Sequence, residues 1–196
     1  MKISVKHDLD RLTRNLKDFE KKQIPFATAL ALNNTAKDGQ AAAQKAMEKA
    51  LDRPTPFTLR GIAVKRATKS NQESVVYIKD IQAEYLRWQI TGGTRKARNK
   101  ALLVPENIRL NKYGNMPRGR INKLRDKKNI FSGEVDGVSG VYQRYKRKAP
   151  RLLVSYEKDA RYGVKYPFAK IVKKTVARTF PDNFRGALAY AALTAR

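Results

Sequence analysis

Leu9, Leu12, Leu16 and Phe19 recur at spacings of three and four with Lys and Arg between them, which predicts an amphipathic helix. Asp8 stands near its start, where a carboxylate accepts from open amides and opposes the helix dipole. Ile24-Pro25 reads as a break, and Pro25 suits the first turn of a second helix, where no carbonyl needs its missing N–H. From Pro25 to about Leu51 the chain is rich in alanine, which supports helix at little entropic cost and lets backbones approach closely. Phe26, Leu30, Met47 and Leu51 are its larger knobs; Asn33-Asn34 and Gly39 weaken it.

The pattern then shortens. Thr55-Pro56 predicts a cap and first position for a helical turn through Leu59. Ile62 to Thr68 and Ser74 to Lys79 are β-branched runs joined by Lys69-Ser70-Asn71-Gln72, a hairpin. Asp80 is placed to cap a helix over Ile81 to Ile90, closed by Gly92-Gly93. Gly137 to Tyr145 and Leu152 to Tyr156 predict two further strands around a basic tip, Lys146 to Pro150. Pro167 opens a helix with Phe168, Ile171, Val172 and Val176 on one face, ending near Phe180-Pro181. Asp182 would cap a last helix carrying Phe184, Leu188 and Ala192.

This order predicts a single α+β domain over residues 1–196: an N-terminal helical pair, a small antiparallel sheet with long basic loops, and C-terminal helices. Its parts are a helical part at 1–52, a hairpin and short helix at 53–90, a basic loop-rich excursion at 91–130, strands at 131–160 and helices at 161–196. No internal repeat of fixed period is evident.

Composition changes the picture through charge. The 196 residues carry 43 Lys and Arg against 17 Asp and Glu, a formal net charge of +26. With 41% hydrophobic residues the chain still has material for a core. So large an excess needs an anionic neighbour or an assembly that tolerates it. Between Arg87 and Lys128 stand thirteen Lys or Arg and two acids, Glu106 and Asp126, a net +11 in 42 residues punctuated by Gly and Pro. The absence of Cys excludes disulfides, thiolate metal sites and cysteine nucleophiles. No apolar signal core follows Met1 and no run of 18 apolar residues occurs, so a soluble protein used without export is expected, with no membrane partner.

Catalytic chemistry finds little support. His7 is the one histidine, and no nucleophile accompanies it. Asp8, Asp10, Glu20, Asp38, Glu48 and Asp52 are scattered among Lys and Arg, as solvated ion pairs are. Glu134 and Asp136 flank Val135 between two glycines, which favours a turn over a metal pair. Thr91-Gly92-Gly93-Thr94 could present amides to an anion, but a helix stop explains its glycines, and no phosphate-binding loop with a Lys-Ser/Thr ending is present. No enzyme activity, cofactor or metal is expected.

The basic stretches carry more. Arg95, Lys96, Arg98 and Lys100 form one group, and Lys112, Arg118, Arg120, Lys123, Arg125, Lys127 and Lys128 a second; Lys146, Arg147 and Lys148 lie at the later tip. These are the candidate anion- or partner-contacting residues, able to neutralise phosphates without reading sequence. Tyr113, Tyr142, Tyr145 and Tyr156 could stack bases, although filling a sheet face is the stronger reading for them.

The stretch Ile24-Pro25-Phe26-Ala27-Thr28-Ala29-Leu30-Ala31-Leu32-Asn33-Asn34-Thr35-Ala36 resembles the second helical segment of tailed-phage minor tail proteins of the lambda Z type. Gly61-Ile62-Ala63-Val64-Lys65-Arg66-Ala67-Thr68 looks like that family's basic strand, and Lys165-Tyr166-Pro167-Phe168-Ala169-Lys170-Ile171 like its C-terminal entry. The resemblance implies a non-enzymatic virion component assembled in the host cytoplasm: a tail-completion or neck subunit forming a ring around the DNA channel. Its implied partners are further copies of the chain, other neck, tail or connector proteins, and packaged DNA contacted non-specifically. The alternative is a stand-alone, sequence-nonspecific nucleic-acid-binding protein, which rests on charge alone.

Overall fold

The structure, a computed structural model, describes residues 19–98 and 100–194, with side chains from Lys21 onward. Leu9, Leu12 and Leu16 of the first predicted stripe, with His7 and Asp8, lie outside the described residues.

The Ala-rich stretch forms α1, Ile24–Ala50, close to its expected limits. A π-helical turn at Phe19–Gln23 leads directly into it, so the expected break at Ile24-Pro25 does not occur. The short α2, Pro56–Leu59, is capped as expected, Thr58 N–H donating to Thr55 Oγ1 at 3.2 Å. Strands β1, Ile62–Lys65, and β2, Val75–Ile78, form the expected antiparallel hairpin with Ile62 opposite Ile78. Helix α3, Asp80–Thr91, stops at Gly92, which adopts φ +70° and donates its N–H to the Trp88 carbonyl.

The basic excursion holds more order than its composition predicts. Within it lie β3, Gly93–Lys96, β4, Leu102–Pro105, and α4, Arg120–Arg125. They are followed by β5, Ile130–Val135, β6, Val138–Tyr145, β7, Lys148–Glu157, and β8, Asp159–Tyr162. β3 pairs with β8, and a four-stranded antiparallel sheet runs β4-β7-β6-β5. The partners of β3 and β4 lie far along the chain, a register with no local signature. Asp136 and Gly137 both have positive φ, 51° and 77°, and make the two-residue turn between β5 and β6. The basic tip between β6 and β7 shrinks to Lys146-Arg147, because Lys148, Ala149 and Pro150 belong to β7.

The final element corrects the expectation of two helices. One helix, α5, runs from Phe168 to Thr194 through Pro181, and Asp182 lies inside it rather than capping a second. An internal proline costs about 3 kcal/mol through its lost hydrogen bond and ring clash. Here burial on both sides offsets that cost, with Thr175 packed before Pro181 and Ala187 and Ala191 after it. Phe180 and Phe184 stack across the proline, ring centroids 5.7 Å apart.

These elements divide into two compact units. Among the described residues, the first comprises those up to Met47, Leu59–Ala83 and those from Phe168 on; the second comprises Glu48–Thr58 and Glu84–Pro167. In the first, α1 and α5 pack antiparallel along an alanine seam of Ala27, Ala31, Ala187 and Ala191. Asn183 Nδ2 donates to Thr35 Oγ1 at 3.1 Å and Asp38 Oδ2 at 2.8 Å, and Gly39 lies against Val172, Val176 and Val76. Amide side chains of α1 hold the β1 segment. Asn33 donates to the Ala67 carbonyl at 3.0 Å and accepts from its N–H at 2.8 Å, and Gln40 donates to the Ile62 carbonyl at 2.7 Å. In the second, Leu124, Val141, Leu153 and Val154 form the buried cluster, with Ile108, Met116, Ile130 and Tyr156 packed around it.

Candidate anion-binding basin

The anchor of the basin is α4. Leu124 is buried in the second unit's core, which fixes the helix against the sheet. Arg120 and Lys123, three residues apart, then share a face of α4. Before α4 the chain closes a small loop around Asn111. Its Oδ1 accepts from Tyr113 N–H at 2.9 Å and Asn115 N–H at 3.0 Å, while its own N–H donates to the Asn115 carbonyl at 2.9 Å. Asn side chains readily bond to nearby amides in this way, so the loop is held from within.

The two segments line a basin of about 450 Å³ with Arg109, Leu110, Asn111, Lys112, Pro117, Arg118, Arg120 and Lys123. Five of these are cations, and none of the lining residues is a carboxylate. Arg120 is half-buried; its Nε is buried and has no hydrogen-bond partner among the described residues. A buried donor without an acceptor costs about 1–3 kcal/mol. One-signed charge in a concave surface also focuses the field on incoming anions.

Of the residues singled out from sequence, the basin therefore unites Lys112, Arg118, Arg120 and Lys123. It adds Arg109, which the sequence places in the basic segment without distinguishing it. The signal for Arg109 was its nearness to the Asn111–Asn115 loop, and only the folded loop turns it toward α4's cations. The remaining candidates are elsewhere. Arg98 pairs with Glu84 at 2.6 Å on exposed surface, an arrangement worth little in water. Lys96 stands opposite Asp159 in the β3–β8 ladder. Arg125 donates to the Tyr156 hydroxyl at 3.4 Å. Lys100, Lys127 and Lys128 are exposed in connections, Lys146 and Arg147 form the hairpin tip, and Lys148 begins β7.

Arg95 lines a different cavity, of about 380 Å³, that also includes Arg53, Tyr85, Gln89, Tyr113 and Lys165. Arg53 is not free there; it is bound to Asp52 at 3.0 Å, and that hydrogen bond holds the exposed Asp52 carboxyl below its usual range. A third hollow, of about 560 Å³ beside β1, is lined by Lys37, Arg60, Arg66 and Lys79 together with Asn33 and Gln40. Neither was legible in the sequence.

The tyrosines divide. Tyr142 is buried, donates to the Val138 carbonyl at 2.6 Å and stacks on Phe131, so it fills the sheet face. Burial pushes the Tyr156 phenol up, but hydrogen bonds with Ser132 and Arg125, together with the Arg125 charge, outweigh it and leave its pKa below the ordinary value. Tyr145 is exposed, and Tyr113 lies under the Lys112 ammonium at 5.1 Å. Among the described residues no group of three or more His, Cys, Asp or Glu is placed to hold a metal ion, and no helix is long and apolar enough to cross a membrane.

Comparison with protein-family models, with curated proteins and with solved structures finds no match to this chain.

Proposed function

We propose that the chain is a structural virion protein of a tailed bacteriophage, a tail-completion or neck subunit that assembles as a ring around the DNA channel. The observation that carries the assembly reading is the composition of the first unit's core. The seam between α1 and α5 buries alanines, while the large apolar groups sit at its margins. Phe26, Leu30, Phe180, Phe184 and Leu188 are only partly buried, and Tyr190 and Leu193 on the last turns of α5 are 52% and 86% exposed. A helix pair that buries its small residues and presents its large ones is suited to packing against further helices.

The virion assignment is supported by where the resembling stretches fall. Ile24 to Ala36 lies on α1, Gly61 to Thr68 contains β1, and Lys165 to Ile171 leads into α5. Within the first stretch, Asn33 is the residue that holds Ala67 of the second.

Sedimentation of the purified chain and of Tyr190→Asp/Leu193→Asp tests the assembly. The wild type should form a closed oligomer and the variant should dissociate at about tenfold higher concentration or more, with unchanged far-ultraviolet circular dichroism, since each buried large apolar side chain contributes about 1.5–3 kcal/mol. A wild type that stays monomeric at hundreds of micromolar would refute the ring. Density for the chain away from the head–tail junction in an electron-microscopy map of the particle would refute the neck position.

A further inference from the structure

We propose that the basin between the Arg109–Lys112 segment and α4 is a binding site for the phosphate groups of a nucleic-acid backbone, engaged without regard to base sequence. The proposal goes beyond the assembly reading and does not depend on it, because it concerns one protomer of the second unit.

Three observations converge on phosphate. The lining holds three arginines and two lysines with no carboxylate among them, so no internal counter-charge competes for the site. Arg120 lines the basin, and a planar guanidinium fork matches phosphate oxygens in a way an ammonium does not. The backbone that carries the cations is also held in place beforehand: Leu124 anchors α4 in the core, and the Asn111 side chain closes the loop bearing Lys112. Little ordering is then left for binding to impose.

Two features separate this ligand from others. Adenine is read by a free side-chain amide able to donate and accept together, and guanine by an Arg or Lys that reaches its edge. Asn111 is the one side-chain amide in the lining, and its Oδ1 is already bound to two backbone amides. The basin thus has no free amide for adenine, and its cations are groups that contact phosphates without carrying sequence information. A protein partner, by contrast, needs a desolvated apolar centre within a polar rim. Here the apolar lining is limited to Leu110 and Pro117, the composition of a nucleic-acid surface.

Fluorescence anisotropy with a labelled duplex of random sequence, about 20 base pairs long and titrated against the full chain from about 50 to 300 mM salt, tests the site. Lys112→Gln/Lys123→Gln removes two exposed basin cations. It should flatten the slope of log affinity against log salt by about 1.8 and weaken binding about tenfold at about 150 mM salt. Lys146→Gln/Arg147→Gln removes equal charge from the β6–β7 tip and should leave the slope within about 0.5 of wild type. Arg120→Lys keeps the charge but loses the fork, and should still weaken binding severalfold. Thermal melts establish that each variant is folded.

Equal losses from the basin and tip variants would overturn the proposal in favour of diffuse charge. Displacement of the duplex by polyglutamate at matched charge and ionic strength would overturn it in favour of an acidic protein surface. Displacement by inorganic phosphate at matched ionic strength would overturn the assignment to a backbone. A second duplex of unrelated sequence bound more than tenfold differently would overturn sequence independence.

Discussion

Gly140 lies in the middle of β6, opposite Ser155 of β7. A Cβ at this position would overlap the Val154 carbonyl oxygen and stand 2.7 Å from Leu152 Cδ1. The leucine tip can rotate away. The carbonyl cannot, because it belongs to the β7 backbone, whose pairing with β6 holds Val141 and Val154 in the second unit's core. Gly140→Ala must therefore push β6 and β7 apart at the centre of the sheet. Overpacking of this kind costs about 1–3 kcal/mol, and stretching one or two ladder bonds adds about 1 kcal/mol each. The narrower unfolded ensemble of alanine returns about 0.4–1 kcal/mol. The net expectation is a loss of about 1–4.5 kcal/mol. Urea unfolding followed through Trp88, the one tryptophan and a residue of the same unit, measures it directly. Gly186 supplies the opposite case. It sits in α5, and a Cβ added there would meet nothing within 4 Å, so Gly186→Ala should gain about 0.5–1 kcal/mol from helix propensity. A Gly140→Ala variant as stable as wild type would refute the close approach of β6 to the Val154 carbonyl.

Two further outcomes are expected. Asn33→Ala removes both hydrogen bonds to Ala67, a residue only 6% exposed, and should cost about 2–3 kcal/mol, with faster hydrogen exchange at the Ala67 amide; unchanged exchange would refute the role of α1 in holding the β1 segment. Burial pushes the Tyr166 phenol well above its ordinary 10.0, so its contribution is complete below pH 10 and falls as pH rises past it, the unfolded phenol ionising while the folded one keeps its proton; Tyr166→Phe should show a shallower stability loss between about pH 10 and 11 in urea titrations.

How much was legible in the chain varies with the range of the interaction concerned. Alanine at helical spacing is a strong local signal, so α1 emerged nearly whole, and Thr55-Pro56 and the β1–β2 hairpin were equally local. The turn expected around Glu134 and Asp136 narrows to Asp136-Gly137, which both adopt positive φ, while Glu134 and Val135 belong to β5 and the strand expected from Gly137 begins at Val138. Pro181 misled. Read locally it ends a helix, and only packing of α5 on both of its sides lets the helix continue. β3 and β4 were unreadable, since four-residue segments such as Gly-Thr-Arg-Lys become strands only when β8 and β7 return to pair with them.

The sequence by itself determined the α+β class, the alanine seam's raw material and the concentration of charge in one Gly/Pro-punctuated stretch. Tertiary structure decided which cations act together. Arg118, Arg120 and Lys123 are neighbours along the chain, but Arg109 and Lys112 join them only because the Asn111 loop folds back and Leu124 fixes α4 to the sheet. Charge is a property of composition, whereas a concave array with one sign and an unanswered donor requires backbone positions set by distant contacts.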